Sequence, residues 1–211
     1  MRKGIVGVFG VLLLMTACSN AYYATWETLG KEKRDLLRDN VVAVKSEQQQ
    51  AQEEFKDALT RLKELRGFDG GELEKAYRTV NDDYEACASR AEDVRDRIKK
   101  VDSIAQDLFK EWEEELEQIN NATFKKDSAK KLADTRKRYA SLHQAMVTSE
   151  KRLEPVLVKF HDYVLYLKHN LNAKAVGSLT AEVASIEKEV DRLIADMGKS
   201  IAQADSFIAA M

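Results

Sequence analysis

Apolar residues recur along this chain at alternating steps of three and four, and the longest such pattern runs from Leu73 to Ile119. A repeat that averages 3.5 residues predicts a long α-helix packed against partner helices along a narrow seam. At 1.5 Å per residue, about 48 residues would form a rod of roughly 70 Å. The seam positions, of which all except Glu115 are apolar, are Leu73, Tyr77, Val80, Tyr84, Cys87, Ala91, Val94, Ile98, Val101, Ala105, Leu108, Trp112, Glu115 and Ile119.

The same pattern predicts three further long helices, separated by short stretches rich in Gly, Asn and Asp. Gln48 is a polar residue in the first seam, and we interpret it as a polar layer that fixes the register between helices. Pro155 lies within the third helix, but the seam keeps its phase there, so we predict one kinked helix rather than two. The predicted helices span about 21–66, 72–121, 125–173 and 178–210.

These helices predict an all-α fold, an elongated antiparallel up-down-up-down bundle or coiled coil whose fourth helix is the shortest. Folded back on the third helix, the fourth would cover it from about residue 142 to 173. The bundle would therefore have three helices near its N-terminal end and four farther away. A hairpin of the first two helices would place Trp26 level with Trp112 and Gly30 level with Leu108. Gly30 would then lie inside a helix and make room for a bulky neighbour.

Composition agrees with a helical fold and excludes some partners. One proline, nine glycines, 33% charged and 44% hydrophobic residues argue against both disorder and a strand-rich fold. The formal net charge is −2. Nucleic-acid binding requires clustered Lys and Arg, so we expect no nucleic-acid partner.

The N-terminus has the features of a secretory signal, with Arg2 and Lys3 ahead of an apolar run from Ile5 to Met15. The sequence Met15-Thr16-Ala17-Cys18 that follows resembles the lipobox of bacterial lipoproteins, although Met15 stands where leucine is usual. The resemblance implies that residues 1–17 are cleaved and that Cys18 becomes the acylated first residue of a single domain, 18–211. Ser19 resembles the pattern that sends such proteins to the outer membrane of a Gram-negative cell. The alternative is an ordinary secretory signal followed by an unmodified cysteine.

Candidate catalytic and metal-binding residues are few. Neither His143, His161 nor His169 has a glutamate three residues earlier, so the Glu-x-x-His motif of di-iron bundles is absent from the sequence. No P-loop, dinucleotide-binding or nucleophile-elbow motif occurs either. We expect no enzyme activity, metal or cofactor other than the lipid on Cys18. Cys87, which lies in a seam, is expected to be a small buried hydrophobe.

Two groups of residues near the N-terminal end leave alternatives open. The acidic run from Glu111 to Glu117 would bind a cation or, as we prefer, form a solvated helix face. Within it, Glu115 either meets a basic residue or lies where the bundle splays open. The aromatic residues Tyr22, Tyr23 and Trp26 lie close to Cys18. They would rest at the membrane–water boundary or pack with Phe109, Trp112, Phe124 and Tyr139, the alternative that we prefer.

Three long segments of the chain resemble a family of bacterial lipoproteins of unknown function, a DUF family. The segments are YYATWETLGKEKRDLLRD, LFKEWEEELEQI and EPVLVKFHDYVLYLKHNLNAKA. The resemblance supports the predicted location in the outer membrane and implies no active-site residues. We therefore expect a non-enzymatic lipoprotein of the outer membrane, facing the periplasm, that acts as spacer, scaffold or adaptor for an envelope protein or for copies of itself. The alternatives are a self-assembling membrane-remodelling or envelope-stress protein and a helical carrier of a hydrophobic ligand.

Overall fold

All regular elements of the computed structural model are helices, and no strand occurs among the residues that it describes, which are 23, 30–65, 73–170 and 180–211. This confirms the predicted all-α class. The helices are α1 (Lys33–Glu64), α2 (Leu73–Gln118), α3 (Ala122–Lys151), α4 (Leu153–His169) and α5 (Thr180–Ala209). The predicted breaks between the first and second helices and between the third and fourth, at about residues 67–71 and 174–177, lie outside the described residues.

Helices α1 and α2 pack side by side and run in opposite directions. Three ion pairs join them: Lys33–Glu111 (2.6 Å), Glu47–Arg90 (3.3 Å) and Arg61–Asp83 (2.7 Å). Later residues of α1 pair with earlier residues of α2, as antiparallel helices require. We call the end of the bundle that holds Lys33 and Glu111 the basal end, and the opposite end the apical end.

Helix α5 lies between α1 and the α3–α4 pair and closes the bundle. Its ion pairs with these helices are Lys45–Asp205, Lys63–Glu187 and Arg152–Asp196. Near the end of α5, Phe207 packs on Tyr139 with ring centroids 6.0 Å apart. Four helices therefore pack together from Tyr139 to the apical end, and α1, α2 and α3 continue below it. The predicted start of this overlap, near residue 142, lies within one turn of Tyr139.

The predicted seams form one continuous core. The largest side chains with almost no exposure come from α1, α3, α4 and α5 and include Phe55, Phe160, Tyr163 and Phe207. Phe55 of α1 and Phe160 of α4 meet across the core, with ring centroids 6.5 Å apart. Gln48 is also fully buried, as a polar layer requires.

The third predicted helix is interrupted rather than continuous. A single residue, Arg152, separates α3 from α4, and its φ of −78° and ψ of −18° remain in the right-handed helical region. The cause is Pro155, which has no N–H to donate to the carbonyl of Lys151. The predicted third helix is therefore present as the segments α3 and α4, joined by one residue that keeps helical backbone angles.

The prediction that the first helix runs straight through Gly30 is wrong. Gly30 has a φ of +74° and lies in a turn, and α1 begins only at Lys33. A left-handed conformation cannot continue an α-helix, and glycine adopts it without a steric penalty. Among the described residues, no atom other than those of its chain neighbours lies within 4 Å of a Cβ placed on Gly30. Its positive φ, rather than room for a neighbour, therefore accounts for the glycine.

The position of Tyr23 confirms the change of direction. Tyr23 bonds to Asp107, whereas Lys33 bonds to Glu111, one turn closer to the basal end. Tyr23 precedes Lys33 in the chain, and a straight helix would have placed it on the basal side of Lys33. Trp26, which was predicted to lie level with Trp112, is outside the described residues.

The ion pairs of Asp196 predict a measurable pH dependence of stability. Hydrogen bonds from Lys199 (2.8 Å) and Arg152 (3.0 Å) lower the pKa of Asp196. A carboxylate with a lowered folded-state pKa stabilises the protein above its unfolded pKa, about 3.9, and this contribution is lost as the pH falls through the folded pKa. We expect Asp196→Asn to cost up to about 1 kcal/mol at pH 7 and to flatten the loss of stability below pH ~4.

Urea unfolding between pH 2.5 and 7 measures this effect. The matched control is Asp134→Asn, because Asp134 is exposed on α3 and forms no ion pair with the described residues. The control variant should lose stability below pH ~4 to the same extent as the parent protein. Identical pH profiles for the two variants would contradict a role for Asp196.

Candidate functional site at the basal end

Tyr23 is held in the groove between α1 and α2. Its hydroxyl donates a hydrogen bond to Asp107 Oδ2 (2.6 Å), and Lys33 Nζ lies 4.8 Å from its ring centroid. Only 7% of Tyr23 is exposed. Of the three aromatic residues that sequence analysis placed either at the membrane boundary or in basal packing, Tyr23 is packed. Tyr22 and Trp26 lie outside the described residues, as does Cys18.

Aromatic residues join α2 to α3 just above the basal end. Phe109 meets Tyr139 edge to face, with centroids 5.6 Å apart, and the Trp112 indole donates to Ser128 Oγ (2.8 Å). The guanidinium of Arg136 lies 5.3 Å from the Phe109 ring centroid. These contacts hold α2 and α3 together. Tyr23 itself bonds to Asp107 and meets Lys33, so its predicted packing with Phe109, Trp112 and Tyr139 stays a prediction.

Phe124 does not join this cluster, contrary to the expected packing. The Asn121 side chain caps α3 by accepting from the backbone N–H groups of Thr123 and Phe124, so the helix begins at Ala122 instead of near 125. Phe124 then lies in the first turn of α3, next to Lys125, which pairs with Glu117 near the end of α2. Its side chain is 68% exposed. The preference of asparagine for N-caps is the sequence signal that would have placed this helix start correctly.

The acidic run of α2 is largely neutralised by basic neighbours. Arg136 donates a hydrogen bond to Glu113 and lowers the pKa of that carboxyl, while Glu113 raises the pKa of Arg136. The other pairs are Glu111–Lys33, Glu117–Lys125 and Glu114–Lys110. Within the described part of the chain, no group of three or more potential ligands could hold a metal ion. Glu115 is exposed and has no ion-pair partner among the described residues.

A polar cluster marks the level at which α5 ends. Asp102 accepts a hydrogen bond from the Tyr139 hydroxyl (2.9 Å) and lies 3.5 Å from His143 Nε2. Burial, followed by the hydrogen bond to Asp102, raises the pKa of Tyr139, so this hydroxyl stays neutral. The cluster positions the ring that Phe207 covers. No local sequence pattern predicts it, because Asp102 lies on α2 whereas Tyr139 and His143 lie on α3.

The remaining candidate residues do not converge on a catalytic site. His161 packs on Tyr84, with ring centroids 5.2 Å apart, and His169 lies in the last turn of α4. Cys87 is fully buried, as predicted, and burial raises the pKa of its thiol. The thiol therefore stays protonated and poorly nucleophilic. None of the described helices combines the length and the apolar composition that a bilayer crossing requires.

Comparison with known proteins gives one match. The model of a family described as "Protein of unknown function (DUF2959)" matches residues 22–211. No curated protein and no solved structure matches the chain.

Proposed function

The chain belongs to DUF2959, a family of proteins of unknown function, and from that premise we propose a role based on its own geometry. It is a lipoprotein anchored to the outer membrane through Cys18, facing the periplasm, and it acts as a non-enzymatic spacer, scaffold or adaptor. One observation carries the proposal: long helices bury their apolar seams against each other along a slender bundle. The 46-residue α2 alone spans about 69 Å at 1.5 Å per residue.

Ion pairs along the bundle suit it to a mechanical role. Charged side chains link α1 to α2, α2 to α3 and α1 to α5, and Arg152, between α3 and α4, pairs with Asp196 of α5. One side chain of α2, Arg95, pairs with Glu150 of α3 and also with Glu154 of α4, on either side of the interruption at Arg152. Each surface pair contributes little by itself, but pairs at several helix interfaces together resist sliding of one helix past another. A rod of this kind presents its apical end at a fixed distance from its anchor.

The outer surface offers partners a charged face with a few apolar residues. Val158, Leu165 and Tyr166 of α4 are between 40% and 49% exposed. The partners that we propose are the membrane, through the lipid, and an envelope protein or a second copy of the chain. Crosslinking in intact cells, followed by mass spectrometry, would identify discrete crosslinks on the helical faces if the protein is a scaffold.

The substitution Cys18→Ser tests the proposed acylation and outer-membrane anchoring. In Gram-negative cells supplied with an alkyne analogue of palmitate, we expect the parent protein to be labelled and to fractionate with the outer membrane. The Cys18→Ser variant should lose both the label and the membrane association, since stable anchoring depends on the acyl chains.

Cys87→Ala is the matched control for this experiment. Because Cys87 is fully buried and its thiol pKa is raised, it is a poor acylation site, and its removal should leave labelling and fractionation unchanged. Label or outer-membrane association that persists in Cys18→Ser would exclude the proposed anchor.

A further inference from the structure

Phe124 is the most exposed of the large hydrophobic residues that the structure describes, at 68%. It lies at the basal tip of the bundle, in the first turn of α3, and Lys125 and Lys126 follow it. An aromatic ring beside lysines is typical of the boundary between a membrane and water, where the ring enters the headgroup layer and the ammonium groups stay hydrated.

The position of Tyr23 limits how far the membrane can lie from this tip. Tyr23 is fixed level with Asp107, and Cys18 precedes it by five residues. Five extended residues span at most about 18 Å. Along α2, the eleven residues from Asp107 to Gln118 cover about 17 Å. Chain length alone therefore keeps an anchor at Cys18 from extending appreciably beyond the basal end.

A bilayer held by such a short connection must touch the bundle, either at its tip or along its flank. Phe124 distinguishes the two arrangements because it lies at the tip. The exposed apolar residues Val158 and Leu165 belong to α4, toward the apical end. Val158 follows Phe124 by 34 residues, or about 50 Å along the rod.

We propose that the basal end rests on the phospholipid bilayer with the Phe124 ring inserted at the headgroup boundary, so that the rod stands away from the membrane. This inference rests on the proposed lipidation of Cys18. The contact depends on the ring rather than on net charge, because the charges of Glu115 and Glu117 offset those of Lys125 and Lys126. Phospholipids with no net charge would therefore support it.

Tryptophan placed at position 124 or 158 tests the arrangement. The mature, lipidated full chain would be reconstituted in phosphatidylethanolamine–phosphatidylcholine vesicles, with and without brominated acyl chains. Emission from the parent protein, which contains Trp26 and Trp112, would be subtracted. We expect the added emission of Phe124→Trp to shift to the blue and to be quenched by bromine. Emission from Val158→Trp, the matched control at another exposed site, should show neither change.

Flotation of the vesicles and mass measurement of the acylated N-terminus separate this inference from the proposed function. Acylated protein that floats but leaves Phe124→Trp unquenched would overturn the insertion of Phe124 and leave the anchor intact. Quenching of Val158→Trp would show a rod lying along the membrane and would also overturn the inference. Protein that lacks acyl chains and does not float would overturn the anchor and the inference together.

Discussion

Phe160→Ala should lower the free energy of unfolding by about 3–5 kcal/mol, whereas Phe124→Ala should change it by less than about 0.5 kcal/mol. Phe160 has no exposed surface and its ring meets Phe55 across the core. Removing the ring forfeits its burial and leaves a cavity that neighbouring helices fill only in part. Phe124 is largely exposed already, so its truncation removes little packing.

Urea denaturation and thermal unfolding, both followed by circular dichroism, compare the two variants. Both variants replace phenylalanine by alanine. For a chain of this size, the Phe160 variant should unfold at a temperature lower by roughly 6–20 °C. A comparable loss of stability in Phe124→Ala would show that its ring packs against the folded protein and would contradict the exposed basal tip. A small loss in Phe160→Ala would contradict a close-packed core at this level.

The fold class and the buried faces followed from the sequence because a 3.5-residue repeat is a local property of the chain. Each seam had to face partner helices whatever their order, and Val94, Leu142 and Val190, from three different helices, are all fully buried. The reach of α5 along α3 was also predictable, since the lengths of the helices limit where a chain that folds back can end.

Features that depend on single backbone conformations or on long-range pairs could not be predicted in this way. Gly30 costs only about 1 kcal/mol within a helix, so periodicity cannot distinguish a helical glycine from one at positive φ. The bond between Tyr23 and Asp107 joins residues that are 84 apart in the chain and follows from that change of direction. Neither member carries a local signal of the other, so the packed position of Tyr23 emerged only from the structure.

Gln48 shows that a predicted polar layer can extend beyond the residue that indicated it. Its side-chain amide donates to Ser149 Oγ (2.8 Å), and that hydroxyl donates to the carbonyl of Met146. Ser200 of α5 is also fully buried. The pairs Lys45–Asp205 and Gln52–Ile194 lie on either side of Gln48 and Ser200, so the two residues are at about the same level. The layer therefore draws on three helices.

Gln48→Met should raise the free energy of unfolding by about 1–2 kcal/mol. Gln48 Oε1 is buried without a hydrogen-bond partner, and an unsatisfied buried acceptor carries a desolvation penalty of about 1–3 kcal/mol. Methionine has a similar shape and no polar atom, while Ser149 keeps its bond to Met146. Urea denaturation should show a higher midpoint for Gln48→Met and no change for the control Gln49→Met, because Gln49 is exposed. A loss of stability in Gln48→Met would mean that the bond to Ser149 outweighs the unsatisfied acceptor and that the layer is a net source of stability.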